Sequence, residues 1–244
     1  MQVKVSPMKI NRRDLLSAAG SGLVLSCCSA AAAVMEGPAA KKETGEAEVT
    51  AVEDLMREHG VLRRALFVYS ESAARLRAKP TVVVLVALSK TANLFRGFGE
   101  DYHEKKLEEA YIFPAVKKAG GPAAAYPDIL IAQHQRGREI TDYILTVTRH
   151  TSLDAADEKR LAETLDAMVR MYRAHAARED TVVFPAWKQT LTAEQLQQMG
   201  EKFEEIEHQQ FGQDGFEDAV RQISEIDSEL GLSDLATFTA PPPA

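Results

Sequence analysis

A chain of 244 residues with a formal net charge of −7 is long enough for one domain with a full core, and it is acidic. Residues 1–33 carry Lys4, Lys9, Arg12, Arg13 and Asp14, a net +3, so the remainder stands at −10, which disfavours DNA or anionic lipid as the main partner. Both cysteines, Cys27 and Cys28, lie in that stretch, which leaves none for a disulfide, a thiolate zinc site or a cysteine nucleophile in the body, and any metal there must be held by His and carboxylates.

Residues 1–33 read as an export signal. Asn11-Arg12-Arg13-Asp14-Leu15-Leu16 resembles a twin-arginine motif, and the apolar run Ala18 to Val34 after it is too short and too rich in Gly, Ser and Ala to span a membrane. Ala31 and Ala33 suit ordinary signal cleavage, while Ser26-Cys27-Cys28 loosely resembles a lipoprotein site. The expectation is a soluble periplasmic product with no membrane span, and the alternative is a lipid anchor on Cys27 or Cys28. Residues 34–47 lack apolar periodicity and contain breakers, so they read as a linker.

From residue 48 onward the pattern is helical. The first helix is expected from about Glu48 to Lys79, with Val52, Leu55, Met56, Leu62, Leu66 and Tyr69 at three- and four-residue spacing and Pro80 as its end. The second covers Thr81 to about Lys118 and stops at Gly120-Gly121-Pro122. A third runs from Pro127 to Arg149 and a fourth from Asp154 to Lys188. Period-two segments are absent, so the fold class is all-α: an antiparallel up-down-up-down four-helix bundle over residues 48–190. Residues 191–232 form a helical extension placed to cap one end. It comprises Thr192 to Gln210, opened by a Thr192/Gln195 capping box, and Phe216 to Leu230. Residues 233–244, with their Pro241-Pro242-Pro243 run, read as a disordered tail.

Of six histidines, four fall one per bundle helix: His59, His103, His134 and His175. In an up-down-up-down bundle the start of helix one, the end of two, the start of three and the end of four share one end. His59 and His134 lie near the starts of their helices. Glu108 and Glu179 lie six residues before Pro114 and Pro185. At roughly 1.5 Å per residue all of them fall within about two turns of one level. The stretch Glu108-Glu109 to Phe113-Pro114 repeats as Glu179-Asp180 to Phe184-Pro185, each after a histidine. Glu58-His59 with Arg63 is echoed by Gln133-His134 with Arg138. A His and a Glu four apart, as His175 and Glu179 are, differ by about 40° around a helix, so both can point inward and the carboxylate can bridge two metals. Imidazole with bridging carboxylate favours iron or another borderline divalent metal over calcium or magnesium.

These motifs, over residues 50 to 190, resemble the hemerythrin, or HHE cation-binding, family. The resemblance implies a non-haem di-iron centre bridged by two carboxylates, with His59, His103, Glu108, His134, His175 and Glu179 as metal ligands and oxygen or a related small molecule as partner. The family's dedicated oxygen carriers have a second histidine on helix three. Arg138 stands at that place, which turns expectation away from simple oxygen transport and leaves one iron more open. His103 and Glu108 are also five apart where the family usually has four, so on a regular helix they diverge by roughly 140°. Either a π-bulge restores a shared face, or Glu104 joins Glu108 at i, i+4 spacing. The first is favoured, with Glu104 as a supplementary or substitute ligand.

His150 is read as a solvent-exposed residue at the end of helix three, and Tyr102, Tyr111, Phe113, Phe184 and Trp187 as packing around the site; His208 has carboxylates around it but lies outside the four-helix repeat, so metal contact there is the lesser alternative. Three function classes follow. The leading one is a di-iron protein that binds oxygen, nitric oxide or peroxide for sensing, scavenging or supply. The second is a di-iron enzyme that reduces peroxide or nitric oxide or oxidises ferrous iron. The third, a metal-free partner-binding bundle, carries the cost of burying carboxylates and imidazoles without a cation.

Overall fold

The computed structural model describes residues 49–78 and 82–243. The expected export signal, the expected linker and the Pro80 helix break lie outside the described residues. Among the described residues there are six helices and no strand. Helix α1 is Ala51–Ala78. Helix α2 starts at Val82–Leu94, widens into a π-helix over Phe95–Ile112 and returns to α geometry at Phe113–Ala119. Helix α3 is Pro127–Val147. Helix α4 comprises Ala155–Arg178, a π-helical turn at Glu179–Val183 and Phe184–Gln189. Helices α5, Ala193–Phe211, and α6, Gly215–Leu230, form the C-terminal extension.

The element boundaries follow local chemistry. Gly120 and Gly121 take φ of 75° and 72°, which a Cβ disfavours, and they end α2. The Asp154 carboxylate accepts from the backbone N–H groups of Ala156 and Asp157 and so opens α4. Thr192 and Gln195 form the expected reciprocal capping box at α5. Pro114 and Pro185 lie inside continuous helices. Each follows two residues after a π-helical segment, whose i→i+5 bonds, seen in Phe113 N–H to Glu108 O and Phe184 N–H to Glu179 O, open the ladder where proline has no N–H to give.

The first four helices form the antiparallel bundle. Helix α1 packs beside α2 and α4, and α3 closes the ring against the same two. Its core includes Leu55, Leu66, Tyr69, Leu88, Phe95, Leu130, Ile144 and Leu165, each 2% exposed or less. Helix α2 is apolar and long enough to cross a membrane, and 56% of its most apolar stretch is buried inside the protein, as a bundle core helix requires.

The extension runs along the side of the bundle. Helix α6 lies lengthwise along α1 and the first part of α2, with Ile223, Ile226 and Leu230 buried there and Arg64 and Arg75 of α1 bonded to Asp227 and to the Leu230 carbonyl. Helix α5 runs beside the π-helical part of α2. Phe203 stacks on Trp187, and Phe211 meets Tyr102 edge-on. An amphipathic helix covers an apolar groove that its own stripe fits. Beyond α6, Leu235–Phe238 form a 3₁₀ turn whose Phe238 ring packs edge-on against Phe67.

Candidate metal centre

The π-helical segment settles the spacing problem in α2. With roughly 4.4 residues per turn, a five-residue step returns to nearly the same face. His103 Nε2 and Glu108 Oε1 accordingly lie 3.3 Å apart. In α4 the regular four-residue step places His175 Nε2 2.9 Å from Glu179 Oε1.

All six expected ligands meet at one level inside the bundle, each 3% exposed or less. The histidines pair across helices: His59 Nε2 faces His103 Nε2 at 3.1 Å, and His134 Nε2 faces His175 Nε2 at 3.0 Å. The two glutamates lie between the pairs. Glu108 turns Oε1 to His103 and Oε2 to His134, both at 3.3 Å. Glu179 turns Oε2 to His59 at 3.5 Å and Oε1 to His175 at 2.9 Å. The donor atoms thus divide into two groups of two nitrogens and two oxygens, and both carboxylates belong to both groups.

The outer nitrogens are held just as systematically. His59 Nδ1 meets Asp180 Oδ1 at 2.7 Å, His103 Nδ1 meets Glu58 Oε2 at 2.6 Å, His134 Nδ1 meets Glu109 Oε1 at 2.8 Å and His175 Nδ1 meets Gln133 Oε1 at 2.9 Å. These oxygens accept, so each Nδ1 donates its proton and the inner Nε2 keeps its lone pair for the cluster. Arg63 in turn binds Asp180, Arg138 binds Glu109, and the Tyr102 hydroxyl donates to Glu58.

Two imidazole lone pairs facing each other at 3 Å repel unless a positive centre sits between them. All four oxygens of Glu108 and Glu179 are buried without a hydrogen-bond partner. Leaving so many polar atoms unpaired in a dry interior is costly. Two nitrogens about 2.1 Å from one ion and at right angles lie roughly 3 Å apart, so the observed pairs fit a shared cation. Without such a cation, protons take its place. Burial opposes the charged form of both rings, but the Glu108 and Glu58 carboxylates hold His103 well above the usual imidazole range. Glu104, Glu108 and Glu109 similarly push His134 up to about 10. Burial likewise opposes ionisation of Glu108, yet the field of His103 and His134 keeps its carboxyl well below the usual range.

Glu104 does not stand in for Glu108. It is buried, its Oε1 accepts from the Tyr172 hydroxyl at 2.8 Å, and its Oε2 accepts from Arg138 at 3.2 Å. Arg138, at the place of the missing histidine, is thereby tied to Glu104 and Glu109 rather than to the cluster. His150 and His208 are exposed. Phe184 stacks on His59 and Phe113 on His134, so the two repeated Phe-Pro motifs wall the site on both sides.

Glu58, Glu109, Gln133 and Asp180 were not foreseen as partners of the ligands. The signal was present in four dipeptides, Glu58-His59, Glu108-Glu109, Gln133-His134 and Glu179-Asp180. In each, one residue faces the cluster and its neighbour, about 100° around the helix, braces a ligand on an adjacent helix.

The hemerythrin HHE cation-binding domain model matches residues 50–187, the same stretch that forms the bundle and carries every one of these side chains. The chain belongs to the hemerythrin HHE cation-binding family. Uncharacterized proteins of Mycobacterium bovis and of two Mycobacterium tuberculosis strains are each 42% identical to it over 239 residues, covering 96% of this chain and 92% of theirs. No solved structure matches. This is therefore a metal-binding helical protein whose buried His/Glu clusters are the candidate cation ligands.

Proposed function

We propose that this HHE domain holds two iron ions and binds oxygen, nitric oxide or peroxide for sensing, scavenging or supply. The observation that carries the reading is the pair of two-histidine, two-carboxylate-oxygen donor sets sharing both Glu108 and Glu179. Borderline nitrogen donors with bridging carboxylates suit iron better than calcium or magnesium. When bound, such ions supply open coordination positions and electrons for a small ligand.

The chain's own groups prepare the space around them. A cavity with about 10 Å³ open to the centre of a water-sized molecule, room for one such guest, adjoins the cluster and is walled by Leu62, Leu66 and Ala176. Its size admits only a very small guest. On its polar side the Tyr172 hydroxyl and Arg138 hold the Glu104 carboxylate in place.

Protein produced with adequate iron is expected to contain two irons per chain; zinc alone, or no metal after reconstitution, would sink the reading. Mixing the reduced protein separately with oxygen, peroxide and nitric oxide in a stopped-flow spectrometer then separates binding from catalysis. A long-lived charge-transfer band marks a binder, and repeated turnover marks the enzyme alternative.

The N-terminal pattern supports a further part of the proposal, export to the periplasm. A fusion of residues 1–50 to a folded reporter should be exported and should stay inside when Arg12 and Arg13 become Lys. Export of the double variant would reject the twin-arginine route.

A further inference from the structure

The centre has an approximate internal two-fold relation, and two features break it on the same side. The first is electrostatic. Three ligand histidines donate Nδ1 to a carboxylate, whereas His175 donates to the neutral amide of Gln133. At the matching place in the other half stands Glu58, which backs His103. A carboxylate behind an imidazole raises its basicity and its grip on a cation, and an amide does so less.

The second feature is cover. Gln133 lines an open groove of about 510 Å³ together with Asp166, Arg170, Met171 and Ala174. Glu58, the counterpart behind His103, is 1% exposed and accepts from the Tyr102 hydroxyl, and α5 lays Phe211 edge-on against Tyr102. Asp166, Arg170 and Ala174 are exposed. The C-terminal extension therefore covers the side from which Glu58 backs His103, while Gln133, behind His175, lies beside an open groove.

Building on the two-metal reading above, we infer that the two positions are unequal: the His134/His175 position is the exchangeable one, and Gln133 sets its weaker hold. Glu104, whose Oε2 lies 3.9 Å from His134 Nδ1, adds its field to that ring, but its hydrogen bonds go to Tyr172 and Arg138, and the partner of His175 Nδ1 is the Gln133 amide.

The test uses the full chain loaded with Co(II) and challenged with excess chelator, the release being followed by the cobalt absorbance. Wild type should lose its two ions in two phases of one ion each. Gln133→Glu should slow the fast phase about tenfold and leave the slow phase in place. Glu58→Gln should speed the slow phase by a similar factor and leave the fast one in place, so a folding failure in either variant still leaves the other decisive. Release of both ions in a single phase from wild type, or a fast phase untouched by Gln133→Glu, would overturn the inference. Initial binding of fewer than two Co(II) per chain would instead reject the two-metal reading on which it rests.

Discussion

Glu108 and Glu179 each offer both carboxylate oxygens to the cluster, while Glu104, one helical turn away, spends its own on Tyr172 and Arg138. Glu108→Ala is therefore expected to leave at most one ion per chain, and Glu104→Ala to keep the full complement. Metal analysis of the two purified variants checks this, and full occupancy in Glu108→Ala would remove the bridging assignment. Proton linkage makes a second prediction at this scale. The raised values of His103 and His134 mean that both rings are protonated at neutral pH in the absence of a cation. A metal needs their lone pairs, so uptake at pH 7 should expel about two protons per chain, and affinity should fall as pH falls. Calorimetry in buffers of different ionisation enthalpy measures the number directly. A heat independent of buffer would mean the rings enter binding already neutral.

Among the elements, the π-helical stretch of α2 decides which carboxylate reaches the cluster. On a regular helix Glu104 and Glu108 share a face and His103 swings away; over Phe95–Ile112 the widened turn brings His103 and Glu108 together. Helix α3 contributes through a missing side chain. A Cβ on Gly137 would overlap the Tyr172 hydroxyl, the group that donates to Glu104. Gly137→Ala should cost roughly 1–3 kcal/mol through overpacking, despite the better helix propensity of alanine. Adding Tyr172→Phe removes the overlapping oxygen and should restore part of the loss. Thermal melts of the single and double variants provide the measurement, and a single variant as stable as wild type would show that Tyr172 moves aside freely.

For the molecule as a whole, stability should depend on pH through a group outside the ligand set. Glu100 is fully buried. Burial is the main cause that pushes its carboxyl from 4.5 up to about 7, against the Thr141 hydroxyl bond and the Arg96 guanidinium that favour its charge. A carboxyl raised in the folded state binds its proton more tightly there than in the unfolded chain. Its contribution is full below about 4.5 and is lost as pH climbs through 7, a change on the order of 3 kcal/mol. Glu100→Gln keeps the shape and removes the titration. Melting temperatures of the metal-loaded protein between pH 5 and 8 should fall more steeply for wild type than for the variant. Parallel profiles would place the ionisation of Glu100 elsewhere.

Helix number, the antiparallel bundle and the meeting of His59, His103, Glu108, His134, His175 and Glu179 at one level were determined by the sequence itself. Period-3.6 apolar spacing, glycine and proline breaks and short connections leave little freedom in where those residues stand along their helices. The choice between Glu104 and Glu108 was beyond it, because a π-helical turn depends on packing that holds the wider backbone in place. The same holds for the bracing of each histidine. Glu58 is adjacent to His59 in the chain but serves His103, and Gln133 is adjacent to His134 but serves His175. The amphipathic stripes of α5 and α6 announced that they would cover something apolar. Only the folded bundle, which lays Phe211 against Phe98 and Tyr102 and leaves Gln133 beside an open groove, decided which side of the centre they cover.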